Sequence, residues 1–426
     1  MKPTPVSSIA ERVRVVQSDA TKAQQFVADD LASVKAREED LQAWVLIDEN
    51  APQTVDPTPA GPLAGVSVGV KDLIDVAGMP TRSGSITTNP ENKLSSAPCI
   101  EHLESLGATV LGKTTTTEFG FFKPSKTRNP INGKHTPGGS SSGSAAAVGG
   151  RTVPLALGTQ TAGSVTRPAS YCGTAAFVFA RQDVNLKGVD GMAKSLDSLG
   201  FLAQTTEDLN IAVAAFLNRP LTLTTGDVTV LLWTGSDIAE ISPAMTGAIN
   251  NAANLLAETG LEHCSFELTD HVATLTQDHP VIMAYEAYEK HGHLLNERPE
   301  DLSPQFRELL ITGKGLSQEQ YDSALSRTQR TDELFRSLLK PGTVIMGPAA
   351  QDAAPYGQES TGDPVLSRPW QALGYPVLTV PGARNATGMP LGIQLIGLPG
   401  TEAELFTVGQ MLEEKLTEQH GGNDSL

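Results

Sequence analysis

Residues 137–148 read PGGSSSGSAAAV, a glycine- and serine-rich loop that runs into a helix-forming alanine segment. A second loop, residues 158–164 (GTQTAGS), follows a strand-like segment at 153–157. Backbone N–H groups can converge in a glycine-rich turn, where a serine can attack a carbonyl while those amides stabilise the oxyanion. The two loops predict a nucleophilic serine, although flexible linkers have a similar composition.

Lys71 is a candidate base for such a serine. It lies at the end of the apolar segment 66–70 (VSVGV), which is predicted to be a strand. Burial lowers the pKa of a lysine and leaves a neutral amine that can accept a proton. His135 is the alternative base, since it lies just before Ser140, but solvated loop histidines are more frequent than Ser–His pairs.

Two other motif candidates are weaker. Residues 107–114 (GATVLGKT) match the P-loop pattern GxxxxGK[ST]. Val110 and Leu111 would then occupy the phosphate-binding loop, which favours a buried strand instead. His291 and His293 lie two apart on a predicted helix and do not share a face, so no metal site is predicted.

The composition excludes several classes of protein. The 426 residues are 39% hydrophobic and 19% charged, which is a globular balance. A net charge of −17 repels nucleic acids and anionic membranes. The sequence has no apolar run of about 18 residues, and Cys99, Cys172 and Cys264 contain no CxxC pair. We expect a cytoplasmic protein with no metal, cofactor, nucleic-acid or membrane partner.

The hydrophobic patterning alternates between helix and strand, which is typical of α/β proteins. Helices are predicted between 7 and 49, then at 99–106, 244–259, 280–295, 317–339 and 402–415. Strands are predicted at 66–70, 109–111, 153–157, 344–346, 377–380 and 392–396, and a proline-rich linker at 50–62. We expect one domain over 1–426, with N-terminal helices (about 5–50), a catalytic core (about 62–215), a helical insertion (about 240–340) and C-terminal core strands and helix (about 341–416).

The two loops together resemble the signature of the amidase signature family of serine hydrolases. Three other segments agree with this resemblance, which covers about residues 7 to 415: 69–72 (GVKD) resembles the lysine strand, 195–200 (SLDSLG) the "SLDTVG" element, and 390–395 (PLGIQL) the C-terminal core strand. The resemblance implies an α/β amidase signature fold, in which helices cover both faces of a mixed, twisted central β-sheet.

The resemblance also implies a Ser-cisSer-Lys triad, with Ser164 as nucleophile, Ser140 as bridging serine and Lys71 as base. The peptide bond between Gly139 and Ser140 is expected to be cis. Lys71 would take the proton of Ser140, Ser140 that of Ser164, and the acyl-enzyme would be hydrolysed after ammonia leaves. Gly139 and Ser141 are expected to bind substrate, and the oxyanion hole to consist of the backbone N–H groups of Thr161, Ala162, Gly163 and Ser164.

Arg167 is the residue that indicates the substrate class. Residues 156–168 (ALGTQTAGSVTRP) look most like malonamidase-type members, in which an arginine at this place holds a substrate carboxylate. The guanidinium fork suits a carboxylate because it can bind both oxygens. We therefore expect a small, malonamate-like acid amide as the substrate. The alternative is that Arg167 pairs with an internal acid.

Three departures from the family pattern concern specificity. Ala162 replaces the first of two glycines before the nucleophile, and residues 177–180 (FVFA) stand in the region of a usual Lys-Pro pair. Met283 stands where the malonamidase-like pattern would place a glutamine. Without that polar helper for Arg167, the pocket would prefer a longer or more apolar acid amide.

Other functions fit the same motifs. The glutaminase subunit of a tRNA-dependent amidotransferase shares this catalytic domain and passes ammonia to partner subunits. A neutral- or aryl-amide amidase of the same family is a further alternative, and a non-catalytic binding protein is the third. A homodimer is expected at the level of the family only.

Overall fold

The computed structural model describes residues 6–56, 61–221 and 228–419. Residues 57–60 of the proline-rich linker and both ends of the expected domain lie outside the described residues. The strands are β1 (Trp44–Ile47), β2 (Ser67–Lys71), β3 (Thr109–Thr114), β4 (Leu155–Gln160), β5 (Ala175–Val178), β6 (Ser198–Ala203), β7 (Thr229–Leu232), β8 (His263–Ser265), β9 (Thr343–Pro348), β10 (Val377–Arg384) and β11 (Pro390–Ile396).

The helices precede, connect and follow these strands. They are α1 (Ile9–Ser18), α2 (Lys22–Leu41), α3 (Ala51–Thr54), α4 (Pro98–Ser105), α5 (Ser142–Gly149), α6 (Thr166–Cys172), α7 (Thr206–Phe216), α8 (Pro243–Glu258), α9 (Thr269–His291), α10 (Leu294–Glu297), α11 (Pro304–Gly315), α12 (Gln318–Leu338), α13 (Arg368–Leu373) and α14 (Glu402–Gln419). In the described ranges, no helix is both long and apolar enough to cross a membrane.

The strands of the described residues form one 11-stranded mixed sheet in the order β1-β3-β2-β4-β6-β5-β10-β11-β9-β7-β8. Strands β3, β2 and β4 run parallel to one another, as do β9, β7 and β8. The strands between these two groups pair antiparallel. This central sheet with helices around it confirms the α/β fold class predicted from the sequence.

Successive side chains of a strand point to opposite faces of the sheet. Here the side chains on both faces are apolar. Leu155 and Leu157 of β4 contribute to one hydrophobic core, and Ala156 between them contributes to the other. The first core also contains residues of α1, α4, α7, α8 and α14, and the second contains residues of α2, α5, α6, α9, α11, α12 and α13. The two glycine-containing loops at 137–144 and 158–164 therefore rest on a sheet that is buried from both sides.

Residues 44–47 form strand β1, where a helix up to residue 49 was predicted, so that prediction is wrong. Gln42 ends α2 in the left-handed conformation with φ 48°, and β1 then pairs antiparallel with β3. The segment WVLI is aromatic and aliphatic, which suits a sheet edge. Pairing with a distant strand decided its conformation.

Helix α9 begins at Thr269, eleven residues before the predicted start at Pro280. A proline is usually placed in the first turn of a helix, because in the interior it removes a backbone hydrogen bond. Here α9 continues through Pro280 and packs against α11, α12 and α13. Tertiary packing therefore outweighs the local preference, and it brings His279 of this helix into contact with Thr161 of the second loop.

The P-loop match at 107–114 lies mostly in strand β3, which is buried, as predicted from Val110 and Leu111. Its lysine, Lys113, forms an ion pair with Asp72 at 2.9 Å, and both side chains are buried. Lys113 also donates to the hydroxyl of Thr81 at 3.2 Å. These contacts give the lysine a structural role inside the protein.

Candidate active site

The candidate site lies where two parallel strands end side by side. Lys71 is the last residue of β2, and Thr159 and Gln160 are the last two of β4. The carboxyl ends of neighbouring parallel strands in α/β sheets are the usual place for ligand sites. Lys71 is completely buried there, with Nζ 2.7 Å from Ser140 Oγ, 2.8 Å from Thr159 Oγ1 and 3.0 Å from the Thr159 carbonyl oxygen.

Burial determines the protonation of Lys71. It lowers the pKa of the amine well below its usual value, because the charged form loses its hydration, while the charge of Asp197 opposes this effect. No carboxylate forms an ion pair with Lys71 among the described residues. The site therefore favours a neutral amine next to a serine hydroxyl.

The first loop needs its glycines at two positions. Gly138 adopts φ +80°, and a Cβ at Gly143 would lie 2.2 Å from the carbonyl oxygen of Ala43. The peptide bond between Gly139 and Ser140 is cis. The loop then enters α5, and Ser140 is held with its side chain almost fully buried.

The second loop turns from β4 into α6. The side-chain carbonyl of Gln160 accepts hydrogen bonds from the backbone N–H groups of Val165 at 2.9 Å and Thr166 at 3.1 Å, which fixes the start of the helix. Ser141 N–H donates to the carbonyl of Ser164 at 3.1 Å and joins the two loops. In the described part of the chain, residues 161–164 donate none of their backbone N–H groups to a protein acceptor, so these four amides are free.

Two buried side chains hold Thr161 at the start of this turn. Its hydroxyl donates to Asp197 Oδ1 at 2.5 Å, and its carbonyl lies 2.7 Å from Nε2 of His279. Burial raises the pKa of Asp197 to about 6, partly offset by the Thr161 hydrogen bond. Burial lowers the pKa of His279 to about 3, so that the neutral ring donates Nε2–H to the carbonyl.

A narrow cavity opens between the two loops. Both Ser140 and Ser164 line it, and among the described contacts their hydroxyls are not hydrogen-bonded to each other. All of the lining residues belong to the described ranges, and none of them is acidic. The polar lining consists of Ser140, Thr161, Ser164, Arg167, Thr361 and Arg368, and the remainder of Gly120, Phe121, Phe122, Ala162, Met192, Met283 and Pro364.

Arg167 enters the cavity from the first turn of α6 and is only 2% exposed. Its Nε donates to the carbonyl of Thr361 at 2.7 Å, and Nη2 donates to that of Gly139 at 2.6 Å. Nη1 is buried and has no hydrogen-bond partner in the described residues. The internal ion pair considered from the sequence does not form there, and burial lowers the pKa of Arg167 to about 10.

Three sequence candidates are absent from the residues that line the cavity. His135 lies with Nδ1 2.7 Å from the carbonyl oxygen of Ala354, and the hydroxyl of Ser140 contacts Lys71 at 2.7 Å, so the described contacts contain no Ser–His pair at Ser140. Gly139 and Ser141, expected to bind substrate, are absent from the cavity lining. Their backbones instead hold Arg167 and Ser164 in place.

Several residues around the site were not predicted from the sequence. Gln160 belongs to the second loop, and its place just before the turn is a local signal for a capping role. Asp197 belongs to the SLDSLG segment, which by itself indicates no role for the carboxylate. His279 and Arg368 carry no local signal, because they come from α9 and α13 and reach the site only through packing.

Comparison with known proteins gives a consistent picture. Residues 37–406 match the Amidase family model. One subunit of glutamyl-tRNA(Gln) amidotransferase from Agathobacter rectalis is 27% identical over 446 aligned residues, which span 90% of this chain and 88% of that protein. A crystal structure of an amidase has 25% identity and a TM-score of 0.87, over 96% of this chain and all of that one.

Another solved structure is the inhibitor-bound form of a vestigial protein complex that reveals the evolutionary origins of an s-triazine catabolic enzyme. It has 25% identity and a TM-score of 0.85, and the match covers 97% of this chain and 99% of that one. The family match spans most of the sequence, and the similar folds extend over nearly the whole chain. The protein therefore belongs to the amidase signature family of amide-cleaving hydrolases.

Proposed function

We propose that this protein hydrolyses a small amide that carries a carboxylate, with Ser164 as nucleophile, Ser140 as proton relay and Lys71 as base. The observation that carries the proposal is one cavity that contains both serines and a buried arginine nitrogen without a partner among the described residues. The two serines would carry out the hydrolysis of the amide, and Arg167 would bind the carboxylate of the substrate.

The three contacts of Lys71 suit a neutral amine, which has two hydrogens and one lone pair. The Thr159 carbonyl can only accept, so it takes one hydrogen, and the Thr159 hydroxyl can accept the other. The lone pair is then left for Ser140, whose hydroxyl lies 2.7 Å away. This arrangement supports proton transfer from Ser140 to Lys71.

The reaction begins when Ser140 passes its proton to Lys71 and takes the proton of Ser164. Ser164 Oγ then forms a bond to the amide carbonyl carbon, and the carbonyl oxygen becomes an oxyanion that the free N–H groups of residues 161–164 stabilise. The C–N bond breaks as the proton returns through Ser140 to the leaving amine. Water, deprotonated along the same path, hydrolyses the acyl-enzyme. The Ser140–Ser164 contact would close when substrate binds, as often occurs at catalytic sites.

Arg167 is held ready for a carboxylate before substrate arrives. The carbonyls of Thr361 and Gly139 fix the guanidinium, so little side-chain entropy is lost when an anion binds Nη1. Because Gly139 directly precedes Ser140, the carboxylate would lie close to the reacting carbonyl. The spacer between the two groups of the substrate is therefore short.

A second candidate function is that of a glutaminase subunit, which is favoured by the similarity to the Agathobacter rectalis amidotransferase. Glutamine also carries a carboxylate, but its α-ammonium needs an acceptor. The lining contains two arginines and no acidic residue within the described part of the chain, so the α-ammonium would be a third cation and would be repelled. This repulsion favours acid amides without an amino group.

The test is ammonia release from malonamate, succinamate, malonamide, propionamide and glutamine by the wild type, Arg167→Gln and Arg14→Gln. Arg14 is an exposed arginine on α1 and serves as the matched control. We expect the wild type to prefer malonamate or succinamate, and Arg167→Gln to lose this preference. Since Arg167 also holds the Ser140 loop, Arg167→Gln will lower the rates with all substrates. The test of the proposal is therefore the ratio of kcat/KM for acid amides to kcat/KM for neutral amides.

Two results would contradict the proposal. Activity on neutral amides alone would discard the acid-amide specificity and keep the amidase chemistry. Glutaminase activity that appears only when the other subunits of an amidotransferase are added would favour the second candidate.

A further inference from the structure

We infer that Arg368 is a second carboxylate-binding residue, which together with Arg167 holds one carboxylate of a short acid amide. This inference rests on the proposed function and adds a specificity-determining residue to it. No sequence motif indicated Arg368, which is the first residue of α13.

Arg368 lines the same cavity as Ser164 and Arg167. Its Nε is buried and has no hydrogen-bond partner within the described ranges. The other end of the guanidinium reaches outward, where Nη2 lies 3.6 Å from a carboxylate oxygen of Asp363. The side chain of Arg368 is 22% exposed and that of Asp363 52%, so this ion pair is loose and accessible to water.

The hydrogen bonds of Arg167 leave room for a second donor. Nε donates its one N–H to the carbonyl of Thr361 and Nη2 donates one of its two N–H groups to that of Gly139, so Nη1 is the nitrogen without a partner among the described residues. A two-nitrogen grip on both carboxylate oxygens would have to share Nη2 with Gly139. Arg368 Nε offers a separate N–H, so one oxygen can bind Arg167 and the other Arg368.

The charges in the cavity also fit a single carboxylate. Burial lowers the pKa of Arg167; the charges of Tyr171 and Asp363 oppose this effect, and the positive charge of Arg368 adds a smaller lowering because the two guanidiniums repel each other. The carboxylate of Asp363 compensates the positive charge of Arg368. A substrate carboxylate would balance the remaining positive charge of Arg167, whereas a neutral amide would leave that charge without a counter-charge.

The remaining lining restricts the rest of the substrate. The hydroxyl of Thr361 is a further buried polar atom without a partner among the described residues. Phe121, Phe122, Met192 and Met283 make the neighbouring surface apolar. The substrate class is therefore a monocarboxylate amide with a short, apolar spacer, and Arg368 provides the polar contact that Met283 cannot.

The experiment measures binding apart from catalysis, by titration calorimetry of malonamate and succinamate with a Ser164→Ala protein. In that background, Arg368→Gln should raise the Kd at least tenfold, since hydrogen bonds between charged groups are roughly twice as strong as neutral ones. Asp363→Asn should lower the Kd, because it removes a competing carboxylate. Arg14→Gln should change it less than twofold.

The outcomes distinguish the role of Arg368 from the proposed function. If Ser164→Ala binds the acid amides and Arg368→Gln binds them equally well while remaining folded by circular dichroism, the role of Arg368 is wrong and the proposed function stands. If Ser164→Ala binds neither acid amide but binds propionamide, both are overturned. A weaker complex in Asp363→Asn would indicate that the Asp363–Arg368 pair only supports the loop, which also contradicts the inference.

Discussion

The amino group of Lys71 lies 2.7 Å from the hydroxyl of Ser140, inside the protein and away from water. The two residues come from separate elements, one from the end of β2 and the other from the loop before α5. Because burial keeps the pKa of Lys71 well below its usual value, and the charge of Asp197 offsets this only in part, the amine is ready to accept a proton.

Replacement of Lys71 by alanine should lower kcat by about 10²- to 10⁴-fold, the usual contribution of a general base. The wild-type kcat should rise with pH as Lys71 loses its proton and reach a plateau well below pH 10.5. Ammonia release from malonamate and fluorophosphonate labelling of Ser164 measure these effects. Lys35→Ala, an exposed lysine, is the control. A near-native kcat in Lys71→Ala, or its loss in His135→Ala, would show that the base is misassigned.

Lys113→Met should destabilise the protein by about 3–5 kcal/mol, because it leaves the buried carboxylate of Asp72 without its partner. The double variant Lys113→Met/Asp72→Asn should recover part of this loss. Urea unfolding measures the free energy of unfolding of each protein. Stabilisation of the wild type by ATP that Lys113→Met abolishes would instead revive the P-loop interpretation.

Asp197→Asn should change the pH dependence of both stability and turnover. The carboxyl pKa is about 6 in the folded protein and 3.8 in the reference state. Between these values the folded state binds more protons than the unfolded state, so Asp197 makes the free energy of unfolding fall as pH rises from about 4 to about 6. Asn at this position removes that fall, which urea unfolding at pH 4.5 and 7 can measure.

The same substitution tests how Thr161 is positioned. Loss of the carboxylate weakens its hold on the Thr161 hydroxyl, and a small displacement of the turn can cost about 100-fold in kcat. An apparent pKa near 6 in the kcat/KM profile should also disappear. Asp40→Asn, on the exposed side of α2, is the control, and an unchanged profile in Asp197→Asn would contradict the assignment.

His279→Leu should reduce both stability and turnover, because the buried carbonyl of Thr161 loses its donor, at a cost of about 1–3 kcal/mol. His279→Gln can still offer an N–H and should restore much of both. Thermal unfolding and kcat on malonamate measure the two effects, with the exposed His293→Leu as control. Equal behaviour of the Leu and Gln variants would mean that ring packing, and not the hydrogen bond, matters at this position.

The sequence was sufficient where a local pattern fixes a local conformation. The glycine-serine loop predicted a tight turn before a helix, and the structure has Gly138 in a left-handed conformation ahead of α5. The apolar run before Lys71 predicted a strand, and the apolar residues in 107–114 argued against a P-loop. Each of these signals depends on neighbours along the chain, so it could be interpreted without the fold.

Tertiary structure decided which distant groups meet. Arg167 binds a carbonyl 194 residues away, and His279 reaches Thr161 across 118 residues. Packing also made residues 44–47 a sheet edge and carried α9 through Pro280. By itself, the sequence determined the family and the turns, and it indicated the two serines of the proposed mechanism. Only the tertiary structure decided that Nη1 of Arg167 has no partner among the described contacts and that Arg368 lines the same cavity. Contacts between distant elements follow from three-dimensional packing and leave no periodic pattern in the chain.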